Sequence, residues 1–96
     1  MIKEVEEEAM RYIRCNLPER QREVNTGDTI EVYFQGRAEF IFYLYDTDDF
    51  KQGDIVCDRP DLGYDSKKCG SFLDYDYEAA RKWDLENAGC ELSSLY

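Results

Sequence analysis

Thr29–Tyr45, Thr-Ile-Glu-Val-Tyr-Phe-Gln-Gly-Arg-Ala-Glu-Phe-Ile-Phe-Tyr-Leu-Tyr, constrains the fold more than any other stretch. Ile30, Val32 and Phe34 alternate with Glu31, Tyr33 and Gln35, which is the period of a half-buried β-strand. Beyond Gly36-Arg37, Phe40, Phe42 and Leu44 alternate with Ile41, Tyr43 and Tyr45, so the second arm is apolar on both faces. A strand of that kind is expected in the middle of a sheet and covered on both sides. Gly36-Arg37 is expected to be the two-residue turn, with Gly36 taking the positive φ that opens a type II′ turn.

The rest of the chain supplies what such a hairpin packs against. Ile2, Val5, Ala9 and Tyr12 or Ile13 recur at helical spacing, predicting an amphipathic helix from Ile2 to about Cys15. Asn16-Leu17-Pro18 ends it, because the residue before proline is pushed out of the α region. Val24 fits a short extra strand, and Asn25-Thr26-Gly27-Asp28 fits a turn leading into the hairpin. Ile55-Val56-Cys57 reads as a third strand, Asp61 to Gly70 as loop, and Ser71-Phe72-Leu73 as a final edge strand. A C-terminal helix is expected from a cap at Asp74 or Asp76 to Asn87 or Ala88, closed by Gly89. Leu92, Leu95 and Tyr96 suggest a tail that packs back. The fold class that follows is α+β: an N-terminal helix on a three- or four-stranded antiparallel sheet centred on residues 29–45, plus a C-terminal helix. At 96 residues the chain is expected to form one domain, residues 1–96.

Function is constrained chiefly by charge. Twenty-two acidic side chains face 12 basic ones, a net charge of −10. Residues 1–48 and 49–96 each hold 11 acids and 6 bases, so the excess is not an acidic tail. Phosphates repel such a surface, which argues against direct binding to nucleic acid or an anionic membrane and for a basic protein partner. No apolar run approaches the ~20 residues of a membrane span. The acidic start, Met1-Ile2-Lys3-Glu4-Val5-Glu6-Glu7-Glu8, lacks an apolar leader, so a cytoplasmic location is expected. In that setting Cys15, Cys57, Cys69 and Cys90 are expected to be free thiols. Their intervals contain no Cys-x-x-Cys pair, which with the absence of histidine argues against zinc.

The same absence removes the usual general base and the usual partner for a serine or cysteine nucleophile. No glycine loop with a following Lys-Ser/Thr is present for phosphates. Asp46-Thr47-Asp48-Asp49-Phe50-Lys51 places Phe and Lys at the fifth and sixth positions of what would be a calcium loop, where an oxygen ligand and Gly belong. No enzyme activity, cofactor or metal is therefore expected. What remains is the interleaving of acids with tyrosines, a residue enriched at protein interfaces. Two segments are the candidate partner-binding residues: Asp46, Asp48 and Asp49, and Asp74-Tyr75-Asp76-Tyr77.

The profile is small, strongly acidic, aromatic-rich and without a catalytic set. Over the whole chain it resembles phage-encoded DNA-mimic inhibitors, anti-CRISPR proteins among them. Acidic immunity proteins that neutralise basic nuclease toxins share it. The resemblance implies an inhibitor of a nucleic-acid-binding protein or nuclease, with an immunity or regulatory protein for a basic toxin or enzyme as the alternative. It assigns no residue roles.

Overall fold

A computed structural model describes residues 2–83. Helix α1 (Ile2–Asn16) is followed by strands β1 (Arg22–Asn25), β2 (Thr29–Phe34), β3 (Arg37–Tyr43), β4 (Asp54–Arg59) and β5 (Tyr64–Ser71). A short 3-10 turn, Pro60–Leu62, joins β4 to β5. Residues 77–83 are helical and form α2 as far as the chain is described. The strands make one antiparallel sheet in the order β1-β2-β3-β4-β5, each paired with its neighbours in sequence. The α+β architecture is the one expected, with five strands instead of three or four and β3 in the middle.

One face of the sheet carries the core. Ile30, Val32, Phe42, Leu44 and Ile55 point to it, and Ala9 and Ile13 of α1 close over them with Phe72. The three- and four-residue spacing of Val5, Ala9 and Ile13 aligns them on the helix face that meets the sheet. α1 ends as Leu17 donates to the Ile13 carbonyl at 2.7 Å and the Asn16 amide donates to the Tyr12 carbonyl at 3.1 Å, just before Pro18. On the opposite face Ile41 and Tyr43 are half-buried and Val56 is buried. Among the described residues β3 is therefore covered fully by a helix on one side only.

The hairpin turn lies one residue earlier than expected. Phe34 pairs with Arg37, so Gln35-Gly36 are the central residues. Their φ values of +52° and +80° make a type I′ turn, not a type II′ turn opened by Gly36. Gln in the left-handed region is unfavourable, whereas Asn tolerates it. Gln35→Asn is expected to raise stability by a few tenths to about 1 kcal/mol, read as a higher urea midpoint at constant slope. An unchanged or lower midpoint would remove the type I′ assignment.

A larger correction concerns residues 61–70. Instead of a loop they supply the 3-10 turn and nearly all of β5, and the expected edge strand at Ser71-Phe72-Leu73 is the exit from β5. Residues 65–69 are exposed, and the register slips twice, between Ile55 and Val56 and between Cys57 and Arg59. Ser66 has φ +49°, and Cys69 is the unpaired residue between Lys68 and Gly70. The Gly, Ser and Lys residues that suggested a loop thus mark bulges on a blunted edge strand.

Cys57 and Cys69 form a disulfide between β4 and β5, their Cα atoms 5.9 Å apart. The expectation of four free thiols fails for this pair, because the Cys69 bulge turns its side chain toward a neighbour well separated in sequence. Cys15 is free and exposed. Cys90 lies outside the described residues, as do the expected helix end at Asn87, Ala88 and Gly89 and the tail at Leu92, Leu95 and Tyr96.

Candidate functional site

The antiparallel order sorts the charged loops onto two ends of the sheet. One end collects the start of β2, the end of β3, the start of β4 and the end of β5. Leu44 donates to the Asp28 carbonyl and Phe72 to the Gly53 carbonyl, each at 2.9 Å, tying those segments together. Gly53 has φ +97°, and a Cβ there would lie 2.8 Å from Leu73, so glycine is required where the β3–β4 loop passes the end of β5.

That loop is held by its own short bonds. Thr47 accepts from the Phe50 amide at 2.9 Å and donates to its carbonyl at 3.0 Å. Gln52 donates its amide to Asp46 Oδ1 at 2.9 Å and its side chain to the Leu44 carbonyl at 3.0 Å. Phe50 packs on Tyr43, ring centroids 5.0 Å apart. Asp46 therefore serves the loop with one oxygen. Asp48 and Asp49 are exposed and make no hydrogen bond or ion pair among the described residues. Partial burial, and then the Asp49 charge, push the Tyr43 phenol above its ordinary value.

The second candidate segment leaves the same end of the sheet and then turns along α1. Asp74 is exposed. Asp76 is the α2 cap, its Oδ1 accepting from the Ala79 amide at 2.9 Å. Tyr75 meets Tyr12 edge-on at 4.9 Å and donates its hydroxyl to Asn16 Oδ1 at 3.1 Å. Tyr77 meets Tyr75 at 4.7 Å, and the Arg11 guanidinium sits 3.9 Å above the Tyr77 ring. Both tyrosines are half-buried. Asp46, Asp48, Asp49 and Asp74 thus share one end, while Tyr75, Asp76 and Tyr77 fasten α2 to α1.

Register adds members that sequence reasoning missed. Asp28 precedes Thr29, which pairs with Tyr43, so it belongs to the same end; the hairpin pattern already contained that signal. Glu4 and Glu8 of α1 share a recess with Gln52 and Leu73. The helix periodicity alone did not reveal which strand end those carboxylates would overhang. Asp54, 7% exposed, differs from its neighbours: it accepts from the Lys51 amide at 2.9 Å and pairs with Lys68 at 3.1 Å.

At the other end of the sheet three carboxylates are paired with arginines. Arg20 pairs with Glu23 at 2.8 Å, Arg59 bridges Glu39 at 3.1 Å and Asp61 at 2.7 Å, and Arg37 reaches Asp61 at 3.3 Å. The hydrogen bond from Arg59 draws the Asp61 carboxyl down to about 2. Its folded pKa is depressed, so this contribution is present above the ordinary carboxylate value and fades as pH falls toward 2. Exposed pairs add little stability, but they cancel charge locally.

Among the described residues no group of three or more Cys, Asp or Glu is placed to hold a metal ion. Among the described residues no helix is long and apolar enough to cross a membrane. The Tyr12 and Tyr77 phenols are raised, chiefly by burial, and so stay protonated at neutral pH. Comparison with known proteins finds no matching family model, curated protein or solved structure.

Proposed function

We propose that the chain is a small acidic binding protein whose loop end docks on the basic cleft of a nucleic-acid-handling protein. It inhibits that protein by occupying the place of DNA, in the manner of phage-encoded anti-CRISPR proteins. One observation carries this: at one end of the sheet Asp28, Asp48, Asp49 and Asp74 have no ion-pair partner among the described residues, whereas Glu23, Glu39 and Asp61 at the other end are held by arginines. An unmatched acidic end steers a basic partner and sets its orientation. A cytoplasmic location suits such a target. The Cys57–Cys69 disulfide instead suits an oxidising compartment, and it favours a second reading, an immunity or regulatory protein for a basic toxin or enzyme.

The test uses the triple variant Asp46→Lys, Asp48→Lys and Asp49→Lys, with Asp76 left intact because it caps α2. Proteins retained from a host lysate by the parent are challenged with duplex DNA. Release by DNA supports the mimic, and retention despite DNA supports the second reading. In both cases the triple variant is expected to associate roughly 10- to 1,000-fold more slowly at low salt, with a flatter salt dependence. A folded triple variant with unchanged rates and unchanged salt dependence would show that the acid serves solubility alone.

A further inference from the structure

The region between the second half of α1 and the start of α2 has a character opposite to the rest of the surface. A recess of about 290 Å³ lies there, walled by Tyr75 and Tyr77 and edged by Arg11, Arg81, Asn16 and Cys15. Among the described residues no carboxylate lines it. In contrast, the recess beside β1 has Glu6, Glu7 and Glu23 in its wall. The recess under Gln52 has Glu4 and Glu8, and the one beside the hairpin turn has Glu19 and Glu39. Among the described residues the formal charges that line this concave site are two guanidinium groups, which attract anions, with Glu8 an acid that acts on the Tyr77 wall.

We propose that this recess binds a small oxyanion, a carboxylate or phosphate, carried on a planar ring. Arg81 has no ion-pair partner among the described residues and is free to supply a forked donor to the oxyanion. Arg11 is already oriented by stacking on Tyr77 at 3.9 Å. The Tyr77 hydroxyl itself is buried and has no hydrogen-bond partner among the described residues, so it adds no charge of its own to the recess. Tyr75 is locked by its bond to Asn16 at 3.1 Å, and Asn16 by its own bond to the Tyr12 carbonyl at 3.1 Å. The aromatic wall is therefore rigid before binding. Its two tyrosines meet edge to face, so the wall is aromatic and suits a flat ligand. The volume sits just below the ~300–1,000 Å³ of drug-sized sites, which limits the ligand to about one ring and its acid group. This site is separate from the acidic sheet end and does not depend on the reading given to that end.

Four probes divide the chemistry: phenyl phosphate, benzoate, inorganic phosphate and benzyl alcohol, followed by amide chemical shifts of the intact chain. Phenyl phosphate and benzoate are expected to shift Asn16, Ala80 and Arg81 saturably. They should also slow alkylation of Cys15, measured on its own peptide by mass spectrometry. Arg81→Gln, at an exposed position without an ion pair, should leave the melting point unchanged and weaken both ligands about tenfold or more. Arg11→Gln should weaken them as well. Absence of saturable shifts up to ~10 mM, the region of the weakest useful affinities, would overturn the proposal. Equal binding by benzyl alcohol would overturn the oxyanion, equal binding by inorganic phosphate the ring, and an Arg81→Gln variant that binds normally the assignment of the site.

Discussion

Phe42→Ala is expected to remove about 3–5 kcal/mol of folding stability. The side chain is fully buried on the middle strand. Its ring lies 5.6 Å from Tyr12 and 5.7 Å from Phe72, so it joins α1 to the chain leaving β5. Ile30 and Ile55 flank it in register from β2 and β4, leaving little room for the cavity to collapse. A loss of that size is a large share of the ~5–15 kcal/mol that holds a typical domain together. Urea denaturation followed by circular dichroism measures it, and Ile41→Ala is the control. Ile41 is the next residue, faces the opposite side and is only half-buried, so its truncation should cost less. A Phe42→Ala loss below about 1 kcal/mol, or one no greater than that of Ile41→Ala, would place the core on the wrong face of the sheet.

The same contrast explains what could be read from the residues alone. Where burial imposes a period, the elements were legible: α1 from Ile2, Val5, Ala9 and Ile13, and the two hairpin arms from Ile30 to Leu44. Burial does not act on the turn. Gly36 signals positive φ, but nothing about Gln35 signals that it shares that conformation, so the turn was misplaced by one residue. β5 was missed for a related reason. An edge strand exposed along residues 65–69 has no apolar face to betray it, and its glycine and serines look like loop residues. In the candidate site, Asp46, Asp48, Asp49 and Asp74 are exposed, as polar residues in loops tend to be. The contacts of Tyr75 and Tyr77 depend on α1, some sixty residues earlier, and no local pattern could supply them, whereas the capping role of Asp76 was legible in its own segment. The arginine-edged recess has the same long-range origin, since Arg11 and Arg81 meet only after α2 folds back on α1.

Reduction of Cys57–Cys69 is expected to lower stability by about 3 kcal/mol, the chain-entropy value for closing a loop of this size. The two cysteines are 12 residues apart in sequence, and the segment between them holds the 3-10 turn and most of β5. That segment gains little from burial, because residues 65–69 are exposed. Ladder hydrogen bonds, the Arg59–Glu39 and Arg37–Asp61 pairs and the Lys68–Asp54 pair, whose lysine is 57% exposed, also attach it. The loss should therefore be concentrated at the sheet edge. Hydrogen exchange in the reduced protein should quicken in β5 and along the outer side of β4, while amides of the β2–β3 hairpin keep their protection. Without reductant, Cys15 should alkylate readily, whereas Cys57 and Cys69 should not, and the peptide pair should weigh two hydrogens less than the free thiols. Cys57→Ser with Cys69→Ser should reproduce the reduced protein, which separates the bond from side effects of the reductant. Rapid alkylation of Cys57 and Cys69 in the unreduced chain, with a melting point indifferent to reductant, would reinstate the free thiols. The acidic end would then lose the feature that favours a partner outside the reducing cytosol. If the bond holds, Asp54 gains a second role. Buried beside the end of β5 and paired with Lys68, it keeps Ser71 and Phe72 docked when the outer half of the strand opens, so the acidic loop should outlast the loss of the sheet edge.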